Sequence, residues 1–580
     1  MSIQIDPIAT SNAQAWLEGA YDESTKQAIR EMMQNNPEEL NESFYRNLEF
    51  GTGGLRGIMG VGTNRMNRYT VAMATQGLAN YVKKSFAGET ELRAAISHDS
   101  RNHSREFAEI TANVLAANGF KVYITEALRP TPELSFAIRH FKCHTGVMLT
   151  ASHNPKEYNG YKAYWSDGCQ LTAPHDTNVI DEVLKIKDLK DVLMTGGEAN
   201  IINVGDELDR AFLAHVEANS IHPELIKKHS DIKIVYTPLH GTGITMIPRA
   251  LEMLGFSNVN VVEAQATPDG NFPTTPSPNP EEQAAMKMAV DLAKEIDADI
   301  VFASDPDADR VGVAVKRPDG QWMLLNGNQT FSVLMYYLTK QWKETGRLKG
   351  EEYVVSTIVT SELPVIIAES CGIEAFKVLT GFKFIGSKIR EMESKKTFIM
   401  GGEESYGYMI GDFVRDKDAV GACCMIAEMA AWAADQGKTF FDVLVDIYKE
   451  YGFYKEGLLS VVRKGKSGAE EIQMMMKQFR ENPPAEINGS KVIRINDYQT
   501  HESLDTLSGQ KTVLDLPKSN VLQFFCENGN RITVRPSGTE PKIKFYFSVK
   551  GQLECGCQFD DANHALDAQI EEIKRSLNLI

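Results

Sequence analysis

Apolar and polar positions alternate in blocks along the middle of the chain, and one block order recurs three times. In the first copy a short apolar strand at Ala94–Ser97 is followed by a helical pattern from Ser104. Phe107, Ile110, Val114 and Leu115 fall on one face of that helix, and Gly119 stops it. A strand at Val122–Thr125, a helix opened by Thr131-Pro132 and a strand at Gly146–Thr150 complete the copy. The second copy places strands at Ile232–Tyr236, Val259–Glu263 and Asp299–Ala303, with helices ending near Gly255 and starting at Glu281. The third places strands at Tyr353–Val359, Ala375–Leu379 and Thr397–Met400, with helices ending near Gly372 and spanning Ile385–Glu391. Strand–helix alternation of this length predicts α/β units with largely parallel sheets.

The last strand of each copy runs into a polar loop. These loops are Thr150-Ala151-Ser152-His153-Asn154, Asp305-Pro306-Asp307-Ala308-Asp309-Arg310 and Gly402-Glu403-Glu404-Ser405-Tyr406-Gly407. Open α/β sheets place ligands beyond the carboxyl ends of their strands, so the three loops predict three domains facing one cleft. The C-terminal quarter reads differently, as a smaller α+β domain. It has strands at Val521–Cys526, Ile532–Val534 and Ile543–Val549, a turn at Asn528-Gly529 and a closing helix from about Asp560. The expected domains are 1–206, 207–326, 327–450 and 451–580. The segment Thr267–Pro280, with five prolines, is expected as a stiff loop inside the second domain.

Length agrees with this division: 580 residues suggest about four domains at roughly 150 residues each. A chain that is 42% hydrophobic and 24% charged is globular. Its 61 Lys and Arg against 78 Asp and Glu give a net charge of −17, which argues against a nucleic-acid or membrane-surface binder. A local cationic pocket for a small phosphorylated ligand stays open. The eight cysteines include no CxxC pair and fit neither a zinc site nor a disulfide framework, so reduced thiols and a cytoplasmic location are expected. The N-terminus lacks the pattern of a signal peptide. The weakly polar stretch Ala419–Ala434, interrupted by Glu428, is too short for a membrane span and reads as a buried helix.

Five motifs carry candidate chemistry. Asp305, Asp307 and Asp309 crowd three carboxylates just beyond an apolar strand, and like charges this close call for a cation. Hard oxygen ligands suit Mg²⁺, whereas an EF-hand would need Gly and Glu where Arg310 and Lys316 stand. Ser152 lies at a strand end without a GxSxG elbow, so it is either a phosphoryl carrier or a cap for the turn at Asn154-Pro155. His153 beside it orients a group or packs. Gly51–Gly57, with Arg56, and Arg535-Pro536-Ser537-Gly538-Thr539 both offer a guanidinium and flexible backbone for an anion. Glu403 and Ser405 offer alternately spaced groups for sugar hydroxyls.

TASHNP at Thr150–Pro155, DPDADR at Asp305–Arg310, GEESYG at Gly402–Gly407 and RPSGTEPK at Arg535–Lys542 together resemble the α-D-phosphohexomutase superfamily. They occur in the family's order across almost the whole chain. NGYKAYW at Asn159–Trp165 and LTGFKFIG at Leu379–Gly386 bring the resemblance nearest to the long phosphoglucomutase and phosphopentomutase group. The resemblance implies three repeated mixed-sheet α/β domains plus a smaller C-terminal α+β domain around a central cleft. It implies interconversion of glucose 1-phosphate and glucose 6-phosphate through phospho-Ser152 and glucose 1,6-bisphosphate. Mg²⁺ would be held by Asp305, Asp307, Asp309 and the phosphoserine itself. Lys162 would stand at the general-base position, and Arg56 and Arg310 would stabilise the transferring phosphoryl. Glu403 and Ser405 would hold sugar hydroxyls, with Lys383 and Lys417 approaching the substrate. Arg535, Ser537, Gly538 and Thr539 would bind its non-reacting phosphate. The partner is a small phosphosugar, and a monomer or weak dimer is expected.

Tyr406-Gly407 stands where shorter bacterial phosphomannomutases often carry Gly-His, which weakens a mannose assignment. Phosphomannomutase or phosphopentomutase activity remains an alternative. So does a haloacid-dehalogenase-type enzyme with Asp305 as nucleophile, which leaves Ser152 unexplained. A non-catalytic phosphosugar-binding regulator is the alternative of another class.

Overall fold

The computed structural model describes residues 6–51, 53–463, 465–537 and 542–580. By contacts the chain divides into two units. The first comprises Met1–Asn326, Ile385–Ser394 and Ser405–Asp435; the second comprises Gly327–Phe384, Lys395–Glu404 and Gln436–Ile580.

The first unit opens with three helices, α1 (Pro7–Glu18), α2 (Glu23–Asn35) and α3 (Pro37–Phe44). Each starts at an Asx residue, Asp6, Asp22 or Asn36, whose side chain accepts an otherwise unpaired N–H of the first turn. Trp16, Ile29, Leu40 and Phe44 bury their inner faces. A six-stranded sheet follows, built from β1 (Gly54–Ile58), β2 (Arg93–His98), β3 (Lys121–Thr125), β4 (Thr145–Leu149), β5 (Tyr158–Trp165) and β6 (Ile201–Val204). Its order is β1-β5-β4-β2-β3-β6. β2 pairs in parallel with β3 and β4, whereas β5 runs antiparallel to both β4 and β1. The expected parallel core is therefore extended by two antiparallel strands. β5 is aromatic-rich and buried along nearly its whole length, so it carries no alternating pattern.

A second sheet has the order β11-β10-β9-β7-β8. Its strands are β7 (Ile234–Thr237), β8 (Val259–Val261), β9 (Ile300–Ser304), β10 (Val311–Lys316) and β11 (Trp322–Leu325). The central strand β9 is apolar and buried throughout, and β10 returns antiparallel to it. Residues 267–280 form an irregular loop, as the prolines predict. The helix Ala419–Asp435 packs on helices Ile247–Leu254 and Pro223–Lys228. Its interrupting Glu428 is buried and accepts the Ser220 hydroxyl at 2.6 Å and the N–H groups of Ile221 and His222 at 2.9 and 3.1 Å.

In the second unit β12 (Glu352–Thr357) lies in parallel between β13 (Glu374–Val378) and β14 (Thr397–Glu403). The C-terminal part is an antiparallel sheet. Phe453–Val462, Lys542–Gly551, Arg531–Pro536, Leu522–Cys526 and Ser490–Asp497 lie side by side in that order. Helix Phe559–Ser576 packs on it. The sheet is pinned to the third α/β segment by Gln523, which donates to the Ile358 carbonyl at 2.7 Å. Arg531 donates to the Thr360 carbonyl at 2.6 Å and pairs with Glu362.

Cys555 and Cys557 form a disulfide, and the other six cysteines carry none. The expectation of reduced thiols throughout is corrected at this pair. Among the described residues no helix is long and apolar enough to cross a membrane.

Candidate active site

In the first unit three neighbouring strands bring the candidate site residues together. Lys162 of β5 lies opposite Met148 of β4 and Gly54 of β1, and Arg56 of β1 lies opposite Gly160. Ser152 follows the carboxyl end of β4, beside β5. Gly54 serves a close approach here: a Cβ on it would lie 1.7 Å from the Tyr161 carbonyl, so the glycine lets β1 pack on β5.

Ser152 is buried, with 3% exposure, and sits in the left-handed region at φ 52°. Its N–H donates to the Thr150 hydroxyl at 2.8 Å. Its own hydroxyl donates to Asp305 Oδ2 at 2.7 Å and lies 3.1 Å from His153 Nδ1. Non-glycine residues in this region are sparse and cluster at functional sites. Ala308, in the aspartate loop, shares the conformation at φ 48°.

The aspartate loop is the tight link between β9 and β10. Asp305, Asp307 and Asp309 are fully buried, with exposures of 0%, 0% and 1%. Each offers an oxygen within 4.8 Å of the others. Asp305 Oδ1 accepts the N–H groups of Asp309 at 3.1 Å and Arg310 at 3.0 Å. Asp307 Oδ1 and Asp309 Oδ1 are buried without a hydrogen-bond partner. Orphaned carboxylate oxygens converging in a buried site fit a hard divalent cation.

Two lysines answer this charge. Lys162 Nζ lies 2.6 Å from Asp307 Oδ2 and 3.1 Å from Asp309 Oδ2, and Lys417 Nζ lies 3.1 Å from Asp309 Oδ2. Burial alone would lower the Lys162 pKa, but Asp307 and Asp309 outweigh it and raise it. Burial, then the charges of Asp307 and Asp309, push Asp305 well above the usual carboxylate range. Asp309 goes the other way: Lys162, Lys417 and Arg310 overcome its burial and hold it well below that range. Burial, then Arg310 and Arg56, hold the His153 imidazole neutral, far below its usual pKa.

Arg56 donates to Asn154 Oδ1 at 3.1 Å, and Arg310 pairs with Glu281 at 2.6 Å. Ser405 lies in the turn after β14, and the Tyr406 carbonyl of that turn accepts the Val311 N–H at 3.0 Å beside the aspartate loop. The first unit thus gathers Ser152, His153, Lys162, Arg56, Asp305, Asp307, Asp309, Arg310, Ser405 and Lys417.

Lys383, Glu403, Arg535 and Ser537 belong to the second unit. Glu403 ends β14 and is buried. Arg535 lies opposite Lys544, and both it and Glu403 act on the Tyr546 hydroxyl. Burial first, then Glu404, push that hydroxyl up to about 12. The Lys383 ammonium lies 5.3 Å from the Phe384 ring centroid. Gly538 and Thr539 lie outside the described residues.

The structure adds residues the motifs did not single out. Thr131 donates from its hydroxyl to Asp307 Oδ2 at 2.8 Å. Tyr164 donates to Asp416 Oδ2 at 2.7 Å, behind Lys417. Asp99 and Arg101 lie beneath the Ser152 loop, paired at 3.3 Å. The last two follow β2 in the polar run His98-Asp99-Ser100-Arg101, the same strand-end signal that marked Ser152.

Family models for phosphoglucomutase/phosphomannomutase match in order: α/β/α domain I at residues 47–190, domain II at 210–320, domain III at 326–451 and the C-terminal domain at 483–554. The chain belongs to the phosphoglucomutase/phosphomannomutase family. It is 38% identical over 566 residues to a phosphoglucomutase of Staphylococcus aureus strain MSSA476, covering 97% of this chain and 99% of that one. Family membership and this full-length likeness make it a phosphoglucomutase-type isomerase of the α-D-phosphohexomutase superfamily. Two solved structures share the family fold. Paramecium pp63/parafusin, a phosphoglucomutase in an open form, gives a TM-score of 0.67 at 17% identity, covering 92% of this chain and 96% of that one. A phosphoglucomutase/phosphomannomutase family protein of Burkholderia thailandensis gives 0.63 at 18%, covering 91% and 97%.

Proposed function

We propose that this enzyme interconverts glucose 1-phosphate and glucose 6-phosphate, with Ser152 carrying the phosphoryl group and glucose 1,6-bisphosphate as the intermediate. The observation that carries the proposal is the 2.7 Å contact between the Ser152 hydroxyl and Asp305 in a buried triad of carboxylates. Asp305, Asp307 and Asp309 are the residues that would hold Mg²⁺. Bound there, the ion supplies charge neutralisation at the transferring phosphoryl group. Phosphoryl transfer depends mainly on positioning and charge stabilisation, and the chain's own groups are placed for both.

In the forward direction the bond between phosphorus and Ser152 Oγ breaks, and a new bond forms to the C6 oxygen of glucose 1-phosphate. The proton of that hydroxyl leaves to a base; Lys162 is our candidate, in the neutral form it reaches only when its ion pairs with Asp307 and Asp309 are released, since those pairs raise its pKa. Arg56 and Arg310 both lie close enough to lower the pKa of His153 beside Ser152, and both cations would favour the developing phosphoryl charge. Ser152 Oγ takes up a proton as it leaves; after reorientation it gives that proton up and bonds to the C1 phosphorus, the bond from phosphorus to the C1 oxygen breaks, and that oxygen is protonated, leaving glucose 6-phosphate and a rephosphorylated Ser152. Arg535 and Ser537 are assigned to the phosphate that is not reacting, Glu403 and Ser405 to sugar hydroxyls, and Lys383 and Lys417 to the substrate's approach. Exclusion of water keeps the phosphoserine from hydrolysing.

A panel of glucose, mannose, glucosamine and pentose 1-phosphates, compared by kcat/KM with and without added Mg²⁺, tests the assignment. Glucose 1-phosphate should lead, and activity should fall when Mg²⁺ is chelated. A clear preference for the mannose or pentose substrate would move the assignment to that sugar.

A further inference from the structure

We propose that Arg101 is a positioning residue for phosphoryl transfer, holding the Ser152 loop in its reactive conformation from below; the inference rests on the phosphoserine reading above. Arg101 is buried, with 3% exposure, and touches none of the three aspartates by hydrogen bond or ion pair. Its guanidinium instead collects the carbonyls of the loop. Nη2 donates to Ser152 O at 2.6 Å and to Asn154 O; Nη1 donates to Pro155 O at 2.9 Å and Tyr158 O at 3.0 Å. One planar cation thus fixes four carbonyls across seven residues of chain.

That arrangement explains how a serine is kept at φ 52°. A left-handed non-glycine residue persists only where its surroundings over-determine it. Here the carbonyl of Ser152 itself is held, so rotation of its peptide would break a charge-assisted bond. The guanidinium is in turn fixed on two sides. Asp99 lies 3.3 Å away with no side-chain exposure on either partner, and Asp99 Oδ1 also accepts the Arg101 N–H at 2.9 Å and the Ser104 hydroxyl at 2.7 Å. The Phe272 ring, from the proline-rich loop, has its centroid 5.0 Å from the guanidinium carbon. Phe272 is buried and is itself left-handed at φ 47°. A Cβ on neighbouring Gly270 would lie 2.3 Å from the Asn102 N, so that loop is fitted closely against the Arg101 backbone. Phe272, Arg101 and Ser152 form a contiguous stack. A lysine in place of Arg101 keeps the charge but offers a point donor without the planar fork, so it cannot serve the four carbonyls in the same geometry.

The test uses the full-length enzyme loaded with labelled phosphoryl, comparing wild type, Arg101→Lys and Arg101→Met. The readout is the single-turnover rate of transfer to glucose 1-phosphate per phosphorylated Ser152, measured well below each variant's Tm. A residue that only stabilises the fold would lower Tm and the loaded fraction but leave that rate unchanged. The expected result is a rate at least tenfold lower in Arg101→Lys and at least a hundredfold lower in Arg101→Met. The KM for glucose 1-phosphate should stay within about threefold. Arg101→Lys keeps the ion pair with Asp99, so it retains the comparison if Arg101→Met does not fold. Rates within threefold of wild type in Arg101→Lys would overturn the positioning role. A wild-type enzyme that takes no label on Ser152 would overturn the phosphoserine reading and this inference with it.

Discussion

Thr131 holds Asp307 from two directions: its hydroxyl donates to Asp307 Oδ2 at 2.8 Å and its N–H donates to the Asp307 carbonyl at 2.9 Å. Thr131 is the first residue of the helix Thr131–His140, after the N-cap Pro130, which offers no side-chain acceptor to the first turn. The hydroxyl is committed to the aspartate loop of the next domain. Groups that orient a metal-binding carboxylate typically contribute about tenfold or more in metal affinity. Thr131→Val keeps the shape and the N–H contact but loses the hydroxyl. We expect its Mg²⁺ activation midpoint to rise about tenfold, with kcat at saturating Mg²⁺ close to wild type. A Mg²⁺ titration of activity checks this, and an unchanged midpoint would remove Thr131 from that role.

Asp307→Ala and Arg535→Ala should fail in different ways. Asp307→Ala removes a carboxylate of the triad and should slow transfer itself, with partial recovery at high Mg²⁺. Arg535→Ala should instead weaken substrate binding. Losing a charge-assisted bond to phosphate costs about 1.5–3 kcal/mol, or roughly one to two decades in kcat/KM. Raising Mg²⁺ should do nothing for it. Steady-state kinetics across a Mg²⁺ series separates the two, and recovery of Arg535→Ala by Mg²⁺ would contradict its phosphate assignment.

Asp418 carries a pH signature. Its Oδ1 accepts the N–H groups of Val420 at 2.9 Å and Gly421 at 3.0 Å, while Oδ2 is buried without a partner. Burial raises its pKa from an ordinary 3.8 to about 6. The folded state therefore keeps this proton through a range where the unfolded state loses it. The resulting stability is present below about pH 4 and is lost as pH rises to about 6. The loss is on the order of 3 kcal/mol. Asp418→Asn keeps the capping oxygen and removes the titration. The difference in unfolding free energy between wild type and Asp418→Asn should shift in the variant's favour as pH rises from about 4 through about 6, and be flat above about pH 7. Denaturant melts across that range check the sign; parallel curves would refute it.

Glu428 makes a purely structural prediction. Its carboxylate satisfies two backbone N–H groups and the Ser220 hydroxyl inside an apolar helix contact. Glu428→Ala leaves the buried Ile221 N–H and the half-buried donors of Ser220 and His222 without this acceptor, and should destabilise the protein by about 3 kcal/mol without changing KM. Thermal unfolding together with steady-state kinetics measures both.

The strand–helix alternation located nearly every parallel strand, because buried parallel strands are continuous apolar runs between clear turn signals. It missed β5, where Lys162 resides. Tyr158–Trp165 is buried on both faces yet antiparallel, and only pairing with β1 and β4 reveals it. The three N-terminal helices had readable starts at Asp6-Pro7, Asp22-Glu23 and Asn36-Pro37, but their short amphipathic stretches belong to no repeat. The aspartate triad and Ser152 were legible because strand-end polar loops are rare in apolar surroundings. Arg101 and Thr131 were not, since their roles come from which carbonyl or carboxylate the fold sets before them. Cysteine spacing gave no sign of the Cys555–Cys557 bond, because adjacency of two residues does not require a framework.

Every step proposed above depends on Ser152 carrying the phosphoryl group. The most direct measurement is peptide mapping of the enzyme after brief incubation with Mg²⁺ and glucose 1,6-bisphosphate labelled in its phosphates, in wild type and Ser152→Ala. The wild type should yield acid-stable phosphoserine at position 152. Ser152→Ala should take no label and show no mutase turnover, with an unaltered fold. Normal turnover by purified Ser152→Ala, or label recovered as an acyl phosphate on Asp305, would contradict it.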